Sequence, residues 1–234
     1  MARRLRIVRD GGVYHVLNRR VGRLSLFDCD ADFEAFEHVL VEAHGRTPSL
    51  RVLAYVLMGN HWHLLLQPAR AKDLAAFMQW LTVTHMRRWH AHRGSAGEGP
   101  VYQGRFKSFP VQGDAHLPLV ARYVERNALR AGLVVRAQDW RWSSLWRREK
   151  RVQTPWLTQP RDWPAAPPSD YLAWVNRAET PKELEAIQKS VRRGAPFGTE
   201  TWVSRTAVAL NLQSSLRDPW RPKKGRAQAT RVKK

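Results

Sequence analysis

The chain has 234 residues, of which 43% are hydrophobic, enough to bury the core of one domain and to add a smaller appendage. Its 40 Lys and Arg residues against 20 Asp and Glu residues give a formal net charge of +20, which favours nucleic acid as the partner over a membrane surface. A single cysteine, Cys29, excludes an intrachain disulfide and a thiolate metal cage, and without a leader or a long apolar run we expect a cytoplasmic protein with no membrane partner.

Strands and helices alternate in the predicted structure of the first half of the chain. Apolar and β-branched residues predict strands at residues 13–18, 51–58, 61–66 and 107–112, and apolar residues at helical spacing predict helices at residues 30–45, 73–91 and 114–132. Asp114 is placed to cap the third helix, which we expect to run past Tyr123 and to end near Gly132.

This βαββαβα order predicts an α+β fold, a ferredoxin-like antiparallel sheet with an additional catalytic helix. In that arrangement the first and third strands are central and the fourth lies at an edge. Pro110, which has no N–H to donate to a neighbouring strand, agrees with an edge position for the fourth strand.

The second half of the chain predicts an appendage. Prolines crowd residues 151–169 and predict a linker between a catalytic domain at residues 1–150 and a small helical extension at residues 170–215. Within the extension, Thr180-Pro181-Lys182-Glu183 is a capping box that opens a helix to Arg193, and a second short helix follows at residues 200–210. We expect residues 216–234 to be a basic tail.

Two histidines in the third strand are the first candidates for chemistry. His61 and His63 flank Trp62, so in a strand they share one face with backbones roughly 7 Å apart, and their imidazoles can converge on one cation. Two histidines alone are as often structural as they are metal ligands.

The third helix supplies a nucleophile and a further ligand. Tyr123 and Asn127 lie four residues apart, on a face away from the apolar residues of that helix, so we expect the tyrosine to be presented rather than packed. A divalent cation held by His61, His63 and the Asn127 oxygen could polarise a phosphate for in-line attack by Tyr123. Imidazole and amide ligands admit several ions.

Other aromatic and histidine residues have simpler interpretations. His15 and His85 are expected to be core or interface residues rather than ligands. Trp140 and Trp142 are weak candidates for stacking on bases, because burial is the more frequent use of tryptophan.

Residues 59–66, 102–107, 123–134 and 139–144 together resemble the REP-associated tyrosine transposases, relatives of the single-strand insertion-sequence transposases in the His-hydrophobic-His nuclease class. Residues 190–198 resemble the C-terminal extension of longer members. Where family members commonly have proline after the asparagine, this chain has Ala128, which predicts a more regular helix.

The resemblance implies cleavage and rejoining of single-stranded DNA at palindromic repeat hairpins through a 5′-phosphotyrosine, with Mg²⁺ or Mn²⁺ as cofactor. It assigns Tyr123 as the nucleophile and His61, His63 and Asn127 as metal ligands. We expect DNA contacts from a set of basic residues: Arg105, Lys107, Arg126, Arg130, Arg141, Arg221, Lys223 and Lys224.

Two alternatives to this transposase or endonuclease remain open at this point. One is a catalytically inactive protein that only binds hairpin DNA, and the other is a replication-initiator nuclease with the same chemistry. The protein is expected to be a monomer or a homodimer, associated with the nucleoid when it is bound to DNA.

Overall fold

A four-stranded antiparallel sheet forms the centre of the protein, for which a computed structural model describes residues 7–217. The strands are β1 (Val13–Arg19), β2 (Leu50–Met58), β3 (His61–Pro68) and β4 (Lys107–Val111), and their order in the sheet is β2-β3-β1-β4. This order confirms the predicted ferredoxin-like arrangement, with β1 and β3 central and with Pro110 in an edge strand.

Helices cover both faces of the sheet and continue into the C-terminal extension. They are α1 (Asp30–Arg46), α2 (Ala71–Arg93), α3 (His116–Glu125), α4 (Asn127–Arg130), α5 (Ser144–Glu149), α6 (Tyr171–Asn176), α7 (Pro181–Arg193), α8 (Glu200–Ala209) and α9 (Gln213–Leu216). Short 3-10 turns lie at Val21–Arg23, Ala137–Asp139 and Pro160–Asp162.

The alternation of side chains in β3 divides the core into two clusters. Trp62, Leu64 and Leu66 pack with α1 and α2 on one face of the sheet. Leu65 points to the other face, where it shares a cluster with Val120 of α3 and with Tyr123. The histidines of β3 alternate in phase with Leu65, so they lie on the face that α3 covers.

The third predicted helix differs from expectation in one respect, because it is interrupted. α3 ends at Glu125, Arg126 has φ −82° and ψ −3°, and α4 begins at Asn127. The expectation of one helix that ends near Gly132 was therefore wrong, because the backbone departs from helical ψ at Arg126, two residues before Ala128. The Asp114 carboxylate does accept from the His116 N–H and supports the start of α3.

The extension lies against the edge of the sheet. The Phe197 N–H donates to the Pro110 carbonyl oxygen over 2.9 Å, and the Gln112 N–H donates to the Phe197 carbonyl oxygen over 2.9 Å. A single residue of the extension thus occupies the hydrogen-bonding edge of β4. The capping box predicted at Thr180 and Glu183 is present at the start of α7.

The proline-rich residues 151–169 also contact the core. Leu157 forms a parallel bridge with Val52 at the outer edge of β2, and Trp156 and Trp163 are buried. The domain boundaries at residues 150 and 169 stay a prediction.

Within residues 7–217, every helix is too short or too polar to cross a lipid bilayer. Most of the predicted basic tail, including Arg221, Lys223 and Lys224, lies outside the described residues.

Candidate functional site

His61 and His63 lie side by side on the sheet face that α3 covers. Their ring centroids are 5.0 Å apart. In the pairing of β3 with β1, His61 is opposite Arg19 and His63 is opposite Leu17. The strand periodicity therefore brings the two imidazoles together, as the sequence predicts.

His15, two residues before Leu17 on β1, stands directly behind His63. Its Nε2 lies 2.8 Å from Nδ1 of His63, and its ring stacks on Phe109 with centroids 4.7 Å apart. Burial lowers the pKa of His15 to about 3, and burial followed by the neighbouring histidines lowers the pKa of His63 well below its ordinary value. Both rings are therefore neutral at pH 7. The sequence predicts a core role for His15 but misses this contact, which needs the register of β1 against β3.

His61 is held by its sequence neighbour. Its Nδ1 lies 2.6 Å from the side-chain oxygen of Asn60. Because that oxygen only accepts, His61 Nδ1 is the donor and Nε2 keeps its lone pair. Burial, then Arg19 and Arg130, lower the pKa of His61 to about 4, so this ring is also neutral at pH 7.

These contacts leave both histidines in a state that can bind a metal ion. A metal-binding imidazole uses one nitrogen for the cation and donates from the other to a second residue. His61 meets this condition through Asn60, and His63 meets it when His15 Nε2 accepts from its Nδ1. The described residues make no hydrogen bond to either Nε2 and contain no group of three or more His, Cys, Asp or Glu side chains that could hold a metal. A cation at this site would therefore need an amide or water as a further ligand.

Tyr123 projects from α3 towards the histidines. Its ring centroid is 6.0 Å from that of His63 and 6.3 Å from that of His15. Only 6% of the residue is exposed, so the expectation that Tyr123 is presented rather than packed was wrong. The ring forms part of the core cluster that includes Leu65 and Ala128, because α3 lies close on this face of the sheet.

The surroundings of the Tyr123 phenol favour its neutral form. Burial raises its pKa, opposed first by the Arg130 guanidinium, whose central carbon lies 4.2 Å from the ring centroid. Glu179 raises the pKa further, whereas Arg19 and Arg192 lower it. The free protein therefore holds this tyrosine as a phenol at neutral pH.

Asn127 begins α4 and is 7% exposed. It follows Tyr123 by about one turn, yet among the described residues no hydrogen bond joins its side chain to His61 or His63. Its role as a metal ligand stays a prediction.

A cavity of about 600 Å³ opens at Tyr123, and every charged side chain that lines it is basic. We call it the basic cleft; its charged lining consists of Arg19, Arg23, Arg105, Lys107 and Arg192, and its remaining lining of Leu17, Asn18, Gln103, Tyr123, Gln188 and Val191. The predicted DNA contacts Arg105 and Lys107 thus lie in the cleft. The sequence does not single out Arg19, Arg23 or Arg192, which come from three separate segments.

The other predicted DNA contacts within the described residues are paired with carboxylates. Glu179 lies 2.9 Å from Arg126 and 2.8 Å from Arg130, and its side chain is 5% exposed. Arg141 pairs on the surface with Asp30 and Glu34 of α1.

The two tryptophans considered for base stacking pack instead. Trp142 stacks on Phe33 with centroids 4.8 Å apart, and Trp140 donates to the Leu57 carbonyl oxygen. His85 lies in the core as expected, 2.7 Å from the Tyr102 hydroxyl.

A protein-family model described as "Transposase IS200 like" matches residues 11–127, which is half of the chain. The chain belongs to the IS200-like transposase family. The matched segment contains both histidines of β3, Tyr123 and Asn127. A search of curated proteins finds no match to this transposase.

A search of solved structures finds matches to this IS200-like transposase. One is described as the structure of a REP-associated tyrosine transposase bound to a REP hairpin; it has a TM-score of 0.53 and 17% identity, and the match covers 68% of this chain and 92% of that one. A putative transposase from Deinococcus radiodurans R1 has a TM-score of 0.36 and 14% identity, over 57% of this chain and 89% of that one. At 17% identity, the first match supports the fold.

Proposed function

We propose that this IS200-like transposase cleaves and rejoins single-stranded DNA, with Tyr123 as the nucleophile. The observation that carries the proposal is the position of the Tyr123 ring, 6.0 Å from the ring of His63 and at the wall of the basic cleft. Tyr123 and the cations that could bind phosphate line the same cleft, and the histidine pair lies beside Tyr123 behind the cleft wall, which supports a phosphodiester bound in the cleft.

The cleavage step exchanges one phosphate ester for another. The Tyr123 hydroxyl oxygen forms a bond to phosphorus, the bond between phosphorus and the 3′ oxygen breaks, and the 3′ hydroxyl leaves with a proton. The DNA then carries a 5′-phosphotyrosine, and attack by a 3′ hydroxyl reverses the step and joins the strands. No free energy source is needed, because one ester bond replaces another.

Activation of Tyr123 has to come with the substrate, because the phenol is neutral in the free protein. His61, His63 and Asn127 would hold the divalent ion, Mg²⁺ or Mn²⁺, which would supply charge stabilisation on the phosphate oxygens. Arg130, close to the Tyr123 ring, favours the phenolate as the proton leaves.

The similarity of the fold to a solved structure with bound DNA suggests which kind of DNA is the substrate. The structure that shares this fold at a TM-score of 0.53 is described as bound to a REP hairpin, and we propose a palindromic hairpin as the substrate here. The basic cleft would hold the unpaired strand beside the hairpin, since bases there are free to be spread along a groove.

The experiment is the formation of a covalent protein–DNA adduct. The protein would be incubated with a 3′-labelled hairpin oligonucleotide carrying single-stranded flanks, in the presence of Mg²⁺ or Mn²⁺, and the products separated under denaturing conditions. We expect a labelled adduct that Tyr123→Phe abolishes and that EDTA prevents.

Tyr102→Phe is the matched control, because Tyr102 is also 6% exposed but lies on the opposite face of the sheet. It should leave the adduct in place. An adduct that persists in Tyr123→Phe refutes the assigned nucleophile. Salt-sensitive hairpin binding with no adduct under either metal identifies a binding protein instead.

A further inference from the structure

Helix α7 of the C-terminal extension forms one wall of the basic cleft. Gln188, Val191 and Arg192 line the cleft together with Tyr123. Residues three and four apart in a helix share one face, so a single face of α7 is turned to the nucleophile. The extension thus contributes to the site itself.

The far end of α7 is fixed to the sheet. Ile187 and Ser190 of α7 are buried, and Ile187 belongs to the core cluster that contains Tyr123 and Leu65. Gly194 ends α7 with φ +72°, and a Cβ at that position would lie 3.4 Å from the Ser108 carbonyl oxygen of β4. Three residues later, Phe197 makes its two backbone hydrogen bonds to the edge of β4.

The near end of α7 is fixed to the helix that carries the nucleophile. Glu179, just before the capping box, pairs with Arg126, at the break between α3 and α4, and with Arg130 at the end of α4. Arg122 of α3 is 4% exposed, donates to the Arg177 carbonyl oxygen and lies 3.9 Å from Glu183. Contacts at both ends therefore set the distance between α7 and Tyr123.

Within residues 7–217, no carboxylate forms an ion pair with Arg19, Arg23, Lys107 or Arg192 of the cleft. Every charged residue of its lining is basic, and Nε of Arg19 is buried without a hydrogen-bond partner among the described residues. An unpaired buried donor is costly, and an anion in the cleft would relieve it. Arg192 is exposed and has no ion pair with any described carboxylate, whereas the arginines that hold the extension are paired.

We propose that α7 clamps the DNA strand against Tyr123, with Arg192 contacting a backbone phosphate adjacent to the scissile one and Gln188 contacting the neighbouring nucleotide. This inference rests on the proposed function for the position of the strand. It assigns DNA binding to an extension whose sequence predicts only a packing appendage. The contact is to the phosphate chain, so it should be independent of base sequence.

Binding to DNA without chemistry is the direct test. The full chain carrying Tyr123→Phe would be titrated, in EDTA, into a fluorescent single-stranded oligonucleotide of mixed sequence at several salt concentrations. Adding Arg192→Ala should weaken binding about tenfold and reduce the magnitude of the salt slope by about 0.7, the value for one phosphate contact on a single strand. Gln188→Ala should weaken binding less and leave the slope unchanged.

Arg205→Ala is the matched control, since Arg205 is an exposed arginine of α8 in the same extension and does not line the cleft. It should leave the slope unchanged and affect affinity little. Thermal melting would establish that all variants remain folded. Equal binding by the Arg192 and Arg205 variants overturns the proposal.

The adduct assay separates this inference from the proposed function. If the unsubstituted chain forms the Tyr123 adduct but Arg192→Ala binds normally, the clamp is wrong and the nuclease stands. If no adduct forms but Arg192→Ala still weakens binding, the nuclease is wrong and the DNA contact of α7 stands.

Discussion

Replacing His15 tests whether the buried imidazole behind His63 orients it for metal binding. His15 has no exposed surface, and its only hydrogen bond among the described residues goes to His63 Nδ1 over 2.8 Å. His15→Leu fills a similar space but removes that acceptor. His63 can then rotate or take the tautomer with hydrogen on Nε2, which cannot bind a cation.

The expected loss is in metal affinity, with a smaller effect on stability. Removing the outer partner of a metal-binding histidine lowers affinity by about 10–100-fold, equivalent to about 1.4–2.8 kcal/mol. The free energy of unfolding should change by only about 1 kcal/mol, because one hydrogen bond is lost while the unpaired His15 Nδ1 is also removed.

Calorimetric titration of Mn²⁺ into the DNA-free protein would measure the effect. His85→Leu is the control, because His85 is similarly buried, has a pKa lowered to about 3 by burial, and bonds to Tyr102 on the other side of the sheet. His15→Gln, whose amide oxygen can reach the place of Nε2, should restore part of the affinity. Unchanged Mn²⁺ affinity in a folded His15→Leu protein, or an equal loss in His85→Leu, would refute the reasoning.

Two further predictions concern stability. Glu125→Ala should lower the free energy of unfolding by about 3–5 kcal/mol in urea titrations, because it leaves the Arg148 guanidinium, 8% exposed, without its buried partner; a loss below 1 kcal/mol would contradict this. Gly198→Ala should lower it by about 1–3 kcal/mol, because a Cβ would lie 2.6 Å from the Trp202 ring and 2.8 Å from Gln112 Cβ where the extension meets β4. Gly45→Ala, with nothing within 4 Å of its Cβ, is the control and should be neutral or stabilising.

The fold was predictable because its signals are local. Period-two and helical patterns identify the strands and helices in order, and Pro110 identifies β4 as an edge without any long-range information. The same periodicity brings His61 and His63 onto one face. The position of the helix break could not be predicted in this way. The residues around Arg126 give no sequence signal for the change in ψ that ends α3.

The surroundings of the site were less predictable because they depend on contacts between distant segments. Periodicity places Tyr123 outside the apolar stripe of α3, but the close approach of α3 to β3 buries the ring. The sequence predicts Arg130 as a DNA contact, because nothing in it indicates that Glu179, 49 residues later, forms an ion pair with this arginine. Arg19 and Arg192 meet in one cleft only after β1 and α7 are placed.

Contacts between the core and the extension hold residues of the site in place. Glu125 is fully buried two residues after the nucleophile, and its carboxylate accepts from Tyr171 of α6 as well as from Ser144 and Arg148. Cutting the chain at residue 150 would remove Tyr171 and also Glu179, leaving Arg126 and Arg130 without their shared carboxylate. Arg130 lies over the Tyr123 ring, so its position, and the charge felt by the phenol, depend on the extension. The segment that the family model matches, residues 11–127, therefore contains the nucleophile and the histidines but neither Arg130 nor Glu179, the residue that fixes Arg130 beside them.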